Sequence, residues 1–322
     1  MPGQARQQRT QQTSTPDVAA NNNQQMPLRF GNAEMAAFLS GRQEVTASLS
    51  QWMAAGLPLQ KGMKGPMVKE LQNLVGTSPD GAWGPGTDAR IAATRERLGL
   101  SGGGFDRGLY TALSQRAATG PNAMLFQVGT GGASAPTARQ DRLSVTGVDA
   151  SEKLAAADIA SIRPYMDAIR KVAKEEGVPP ALIAAIVSRE TRGGKRLDSR
   201  GWGLDDTHGF GLMQVDDRWQ EELSGGAIDT SDTSPGRGEK HIRQATQELT
   251  TYRDRYVKNW SQSRYQDSSP AEQLRVALSV YNGGPSKAKK SNSDAGTTGQ
   301  DYSNDTWARA RYFAETVFKE GN

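Results

Sequence analysis

The sequence predicts a mainly α-helical protein in which extended structure is confined to one small β-element. Three observations predict it. Apolar residues recur with helical spacing in segments bounded by proline and glycine. The short extended pieces cluster in one glycine-rich stretch, near residues 201–216. A Gly/Ser/Thr/Pro-rich stretch at 118–143 separates the helical segments into a small unit and a large one, after a low-complexity N-terminus.

Along the chain, residues 1–32 are rich in Gln, Thr, Pro and Asn and are expected to be disordered. Residues 33–56 form a short helical segment with apolar patches at 35–39 and 45–53, the second amphipathic. Residues 57–117 form a compact unit, and 118–143, rich in Gly, Ala, Ser, Thr and Pro, a flexible linker. Residues 144–322 form the second, mostly helical unit. A Gly/Ser/Asp-rich insert at 223–238 has no assignable role.

Composition narrows the function. The 322 residues carry a net charge of +4, too mild for a dedicated nucleic-acid binder and compatible with an anionic surface. Cysteine is absent, so no disulfide or thiolate metal site exists. Two histidines, His208 and His241, are too few for a His-rich metal centre; the first is expected in a loop, the second facing solvent or capping a helix. No apolar run of 18 residues occurs, so no membrane span is expected. Residues 1–25 lack an apolar signal core, so a target outside the cytoplasm implies release by lysis, injection or virion delivery, or a removed segment.

In the small unit, Val68, Leu71 and Leu74 have helical spacing after Gly65-Pro66. Asp80-Gly81 and Gly84-Pro85 mark turns, and Thr87 is the expected N-cap of a second helix through Ile91 and Leu98. A third helix opens at Phe105 and runs through Leu113. The pattern Leu59, Gly62, Gly65, Val68, Leu71-Gln72, followed by Asp80-Gly81-Ala82-Trp83-Gly84 and Thr87, resembles the three-helix peptidoglycan-binding domain. That resemblance implies a shallow wall-binding groove near Asp80, Trp83 and Thr87, although Trp83 fits core packing equally well.

In the large unit, a helix from Pro164 stops at Gly177, a suitable C-cap, and Pro179-Pro180 restart the chain. In the helix that follows, Ile183, Ile186, Val187 and Glu190 fall at i, i+3, i+4 and i+7. Glu190 therefore lies on the stripe that faces the core, where lost hydration raises the pKa of a carboxyl and suits it to general acid catalysis. A helix-end Glu turned to solvent is the bland alternative. Ser269-Pro270-Ala271-Glu272 is a capping box, and Leu274, Ala277, Leu278 and Tyr281 line one face behind it. His241 opens a helix through Ile242, Ala245, Leu249, Tyr252 and Tyr256, and residues 304–319 form the last.

The blocks Gly147-Val148-Asp149, Ile186-Val187-Ser188-Arg189-Glu190-Thr191, Gly201-Trp202-Gly203, Gly209-Phe210-Gly211-Leu212-Met213-Gln214-Val215-Asp216, Tyr281-Asn282-Gly283-Gly284 and Asp301-Tyr302-Ser303-Asn304-Asp305 together resemble the goose-type lysozyme domain. Lytic transglycosylases share a looser form of the pattern. The resemblance implies an α+β lysozyme-like catalytic domain that cleaves the β-1,4 bond between N-acetylmuramic acid and N-acetylglucosamine. Glu190 takes the place of the catalytic acid and Asp216 that of a water-positioning carboxylate. A further acid follows Gly201-Trp202-Gly203; the loop is one residue longer than the family pattern, so Asp205 or Asp206 fits, with Asp205 preferred. Tyr281, Asn282, Gln214, Phe210 and Tyr302 are the implied substrate contacts. No metal or cofactor is implied, the partner is peptidoglycan, and a monomer is expected. A lytic transglycosylase and a silent wall-binding component of a phage or secretion apparatus are the alternatives. A phage endolysin, a virion lysin and an injected effector all suit the chain.

Overall fold

The computed structural model describes residues 48–204, 208–218 and 236–319. Expectations for residues 1–47, for Asp205 and Asp206, and for most of the 223–238 insert lie outside the described residues. Of the segment 33–56, helix α1 (Leu49–Ala54) is described; Ser48 caps it by accepting from the Gln51 N–H, and Trp52 is buried.

Three helices follow: α2 (Pro66–Val75), α3 (Pro85–Leu98) and α4 (Arg107–Ala118). Pro66 and Pro85 stand in the first turns, where a missing N–H costs nothing. The N-cap of α3 is Gly84, not Thr87, which lies one turn in. Leu49, Trp52, Val68, Leu71, Leu109 and Leu113 form a core of their own.

The stretch 118–143, expected as a loose tether, is built into the large unit. A 3-10 turn (Ala123–Phe126) buries Leu125 and Phe126 in the large core, and α5 (Ala135–Gln140) is capped by Ser134. Its glycines serve close approach. A side chain on Gly132 (φ 67°) would meet the Gly147 backbone at 2.3 Å, where Ala133 and Gly147 pair in a bridge. Glycine content alone does not separate a flexible chain from a tightly apposed one.

The large unit comprises α6 (Gly147–Ile162), α7 (Met166–Glu176), α8 (Pro180–Thr191), α9 (Glu239–Tyr252), α10 (Pro270–Gly283) and α11 (Tyr302–Thr316). Gly177, at φ 64°, ends α7, and Ser269 caps α10 by accepting from the Glu272 N–H. Helix α8 packs against α11, α7 and α6. It is buried all round from Ala181 to Ser188, so the apolar stripe read from sequence widens to a full cylinder. The alanines at 181, 184 and 185 let its neighbours come close. The β-element is a two-stranded antiparallel hairpin, β1 (Gly209–Phe210) and β2 (Val215–Asp216), pairing Gly209 with Asp216.

The two units are joined by charge and backbone contacts. Arg311 on α11 donates to the carbonyls of Asn73 (3.0 Å) and Leu74 (2.6 Å) at the end of α2. Glu152 on α6 pairs with Arg90 (2.6 Å) and Arg97 (2.8 Å) of α3, and Glu315 with Arg97 and Arg116. Among the described residues no helix is long and apolar enough to cross a membrane.

Candidate active site

Glu190 occupies the last turn of α8, where the helix leaves the core. It lines a hollow of about 260 Å³ together with Gln140, Asp141, Arg192, Asn282 and Tyr302. The Tyr302 hydroxyl donates to Glu190 Oε1. Burial pushes the Glu190 carboxyl up to about 7, against the Tyr302 hydrogen bond and the charges of Arg189 and Arg309. Those arginines fail to ionise it because they are committed elsewhere. Arg189 pairs with Asp301 (3.1 Å) and Asp305 (2.8 Å); Arg309 pairs with Asp305 (2.8 Å) and donates to Ser188 (2.9 Å). The helix ends at Arg192, held in the left-handed region (φ 55°) with its guanidinium on Asp158 and Asp141. Asp141, Gln140 and Thr137 bring the former linker to the wall of this hollow.

Asp216 ends β2 and accepts from the Arg218 backbone N–H and Nε, both at 2.9 Å. The Arg218 hydrogen bond holds its carboxyl below the usual range, so it is ionised at neutral pH. Asp216 lines a second hollow of about 440 Å³ with Gln214, Glu248, Tyr252, Tyr281 and Asn282. Asn282 lines both hollows, so they adjoin at this residue. Its Oδ1 accepts from the Thr298 N–H (2.8 Å), which orients the amide and leaves Nδ2 as the donor group. The Tyr281 hydroxyl donates to the Met213 carbonyl at 2.8 Å, tying α10 to the hairpin. Gln214, at φ 52°, closes the hairpin turn by donating to the Gly211 carbonyl (2.9 Å).

Glu190 and Asn282 line the first hollow, and Asp216, Gln214, Tyr281 and Asn282 the adjoining one. The other expected residues serve the fold or a neighbouring side chain. Phe210 is fully buried, packed edge-on against Trp202 (5.1 Å) and His241 (5.7 Å), and cannot touch a sugar. Tyr302 is 1% exposed, so it acts on Glu190 rather than on a ligand. His241 neither caps nor faces solvent: it is buried and accepts the Met213 N–H at Nε2 (3.1 Å). In the small unit Trp83 is core, its indole N–H given to Asp88. Asp80 and Thr87 are bound by the buried amide of Gln72 (2.7 and 3.1 Å), so these groups brace the fold.

Arg189 and Asp305 stand in the family-like blocks of the sequence but had no role assigned there, nor did Arg309 behind Glu190 or Glu248, which lines the same hollow as Asp216. Glu248 had a signal: it stands on the same face as Ala245 and Tyr252. A larger hollow of about 770 Å³, lined by Pro121, Met124, Arg170, Val178 and Phe318, has no carboxylate or histidine among its described lining residues and holds none of the residues named above.

A family model described as lysozyme g matches residues 123–317. The chain belongs to the lysozyme g family. Lysozyme g of Casuarius casuarius is 37% identical over 200 residues, covering 61% of this chain and 98% of that protein. Lysozyme g of Gallus gallus is 36% identical over 201 residues, 61% of this chain and 86% of that protein. Lysozyme g of Cyprinus carpio is 38% identical over 192 residues, 58% of this chain and 93% of that protein. As a member of the family, the chain is a lysozyme-type glycoside hydrolase that acts on peptidoglycan. The match begins at residue 123, inside the stretch read as linker, in agreement with the packing of Leu125 and α5.

Proposed function

We propose that the chain is a muramidase that cleaves the β-1,4 bond between N-acetylmuramic acid and N-acetylglucosamine by hydrolysis. The observation that carries this is the Glu190 carboxyl, raised to about 7 at the floor of the cleft and held by the Tyr302 hydroxyl. Such a group keeps its proton near neutral pH and gives it to the leaving glycosidic oxygen. Asp216, kept anionic by Arg218, faces the positive charge that develops on the sugar and orients the attacking water. The Asn282 Nδ2 donates to an N-acetyl carbonyl of the glycan. The small unit binds the wall, a reading supported by its motif order and three-helix form. Action on the wall places the working enzyme outside the cytoplasm.

Mass spectrometry of digested wall tests the reaction. Reducing N-acetylmuramic acid ends are expected, and reducing N-acetylglucosamine ends would show that the other β-1,4 bond is cut. Anhydro-muramic ends would show that the muramic hydroxyl, not water, completes the reaction, and the hydrolytic reading would fall.

A further inference from the structure

Lys287 is 6% exposed, rare for a lysine, and stands outside the described lining of both hollows. It belongs to a 3-10 turn (Pro285–Lys289) that follows α10. Its stem crosses Gly283, where a Cβ would lie 2.2 Å from Lys287 Cε. Its ammonium donates to the Ala295 carbonyl at 3.1 Å, beside Gly296, where a Cβ would lie 2.9 Å from Nζ. Lys290 donates to the same carbonyl from the exposed side, at 2.8 Å. Burial, and the charge of Lys290, draw the Lys287 pKa below the usual lysine value.

The two glycines that Lys287 spans lie next to groups of the cleft. Gly283 follows Asn282 in the chain. Gly296 stands two residues before Thr298, whose N–H is the donor that orients the Asn282 amide. The Thr298 carbonyl in turn accepts from Arg189 at 3.0 Å. The loop is anchored before Gly296 by Asp294, which accepts from the Ser279 hydroxyl (3.0 Å) and the Ser303 N–H (2.8 Å). It is anchored after Gly296 by Thr297, whose hydroxyl donates to the Asp294 carbonyl (2.8 Å). Gly296 itself, at φ 83°, offers no side chain to pack. The spacing between α10 and this part of the loop is therefore set by the group wedged between them. A lysine suits that place, since its apolar stem passes over one glycine while its charged head meets a carbonyl beside the other.

We propose that Lys287 is a positioning residue for the glycan contact of Asn282. It fixes residues 295–298 against the end of α10, so that the Thr298 N–H holds Asn282 Oδ1 and turns Nδ2 toward the sugar. The proposal rests on the reading above that Asn282 Nδ2 donates to an N-acetyl carbonyl of the glycan.

A double-mutant cycle tests it, with kcat/KM of the full chain read from the chromatographic loss of soluble, end-labelled glycan strands. That loss counts cuts whether the new ends are reducing or anhydro, so the ends themselves judge the muramidase reading separately. Lys287→Met keeps the stem and loses the ammonium; Lys287→Gln, a shorter polar variant, replaces it if the Met variant does not fold. Thr298→Pro removes the orienting N–H at the first position of a 3-10 turn (Thr298–Gln300), where proline fits. Each is expected to lower kcat/KM about tenfold in the parent and less than about twofold in an Asn282→Ala background. Equal loss in both backgrounds would overturn the proposal, because a lysine that only braces the fold costs the same in each. Parental kcat/KM for the Lys287 variant beside an impaired Asn282→Ala would sink Lys287 alone. Parental kcat/KM for Asn282→Ala would sink the glycan contact and the proposal together.

Discussion

Glu190 owes its chemistry to a competition that desolvation wins. Two arginines lie near enough to favour its anion, yet Asp301, Asp305 and Asp158 neutralise them, and among the described residues only the Tyr302 hydroxyl bonds the carboxyl directly. The shift from the usual 4.5 to about 7 corresponds to about 3 kcal/mol between the two protonation states. Its sign is set by proton counting. Between pH 4.5 and 7 the folded chain holds a proton that the unfolded chain has released, so this group lowers stability as pH rises through that window. Glu190→Gln removes the ionisable group and keeps an acceptor for Tyr302. Its melting temperature relative to the parent should therefore rise from pH 4.5 to pH 8, while wall clearing falls about 10²-fold or more. A parallel pair of pH–melting curves would refute the desolvated acid. Undiminished clearing would remove Glu190 from the mechanism.

At the scale of elements, the hairpin Gly209–Asp216 is placed by what stands behind it. His241 on α9 takes the Met213 N–H, and Tyr281 on α10 donates to the Met213 carbonyl, so one residue of the turn is gripped from two helices. Gly211 lies against the imidazole: a Cβ there would come within 2.4 Å of His241 Cε1, at a φ of 75° that side chains avoid. Gly211→Ala should destabilise the protein by about 2 kcal/mol, since neither the buried ring nor the backbone can yield cheaply. Because Asp216 ends the same hairpin, kcat should fall as well. Chemical denaturation and steady-state assay check both; an alanine variant with parental stability and rate would mean that the His241 contact does not set the hairpin.

At the scale of the whole molecule, the small unit is docked rather than strung on a tether. Arg311 is buried, its pKa drawn down to about 9 by burial, and it bonds carbonyls of α2 together with those of Leu125 and Val128. Arg311→Met keeps much of the volume and loses every one of those bonds. Calorimetry should then resolve two unfolding transitions in place of one. Cutting of soluble strands should persist while clearing of insoluble wall slows, because the small unit, proposed above to bind wall, no longer has a fixed orientation to the cleft. A single transition at the parental temperature would show that the charge pairs of Glu152 and Glu315 suffice.

The sequence by itself determined the helices, their stops and the family. These rest on local signals: proline at a first turn, Gly177 after a last one, Ser269 as a cap, and motif blocks kept in order. It also pointed to Glu190, because helical period alone places that acid in line with Ile183 and Val187. Only the tertiary structure decided what is cleft and what is core. Phe210 and Gln214 lie four residues apart in one hairpin, yet one is sealed under Trp202 and the other lines the hollow beside Asp216. Trp83 and His241 turned inward for the same reason, that burial depends on which distant elements pack above a side chain. The stretch 118–143 illustrates it from the backbone: its glycines resemble those of a flexible linker, and long-range contacts with residues 73, 147 and 304 make it part of the enzyme.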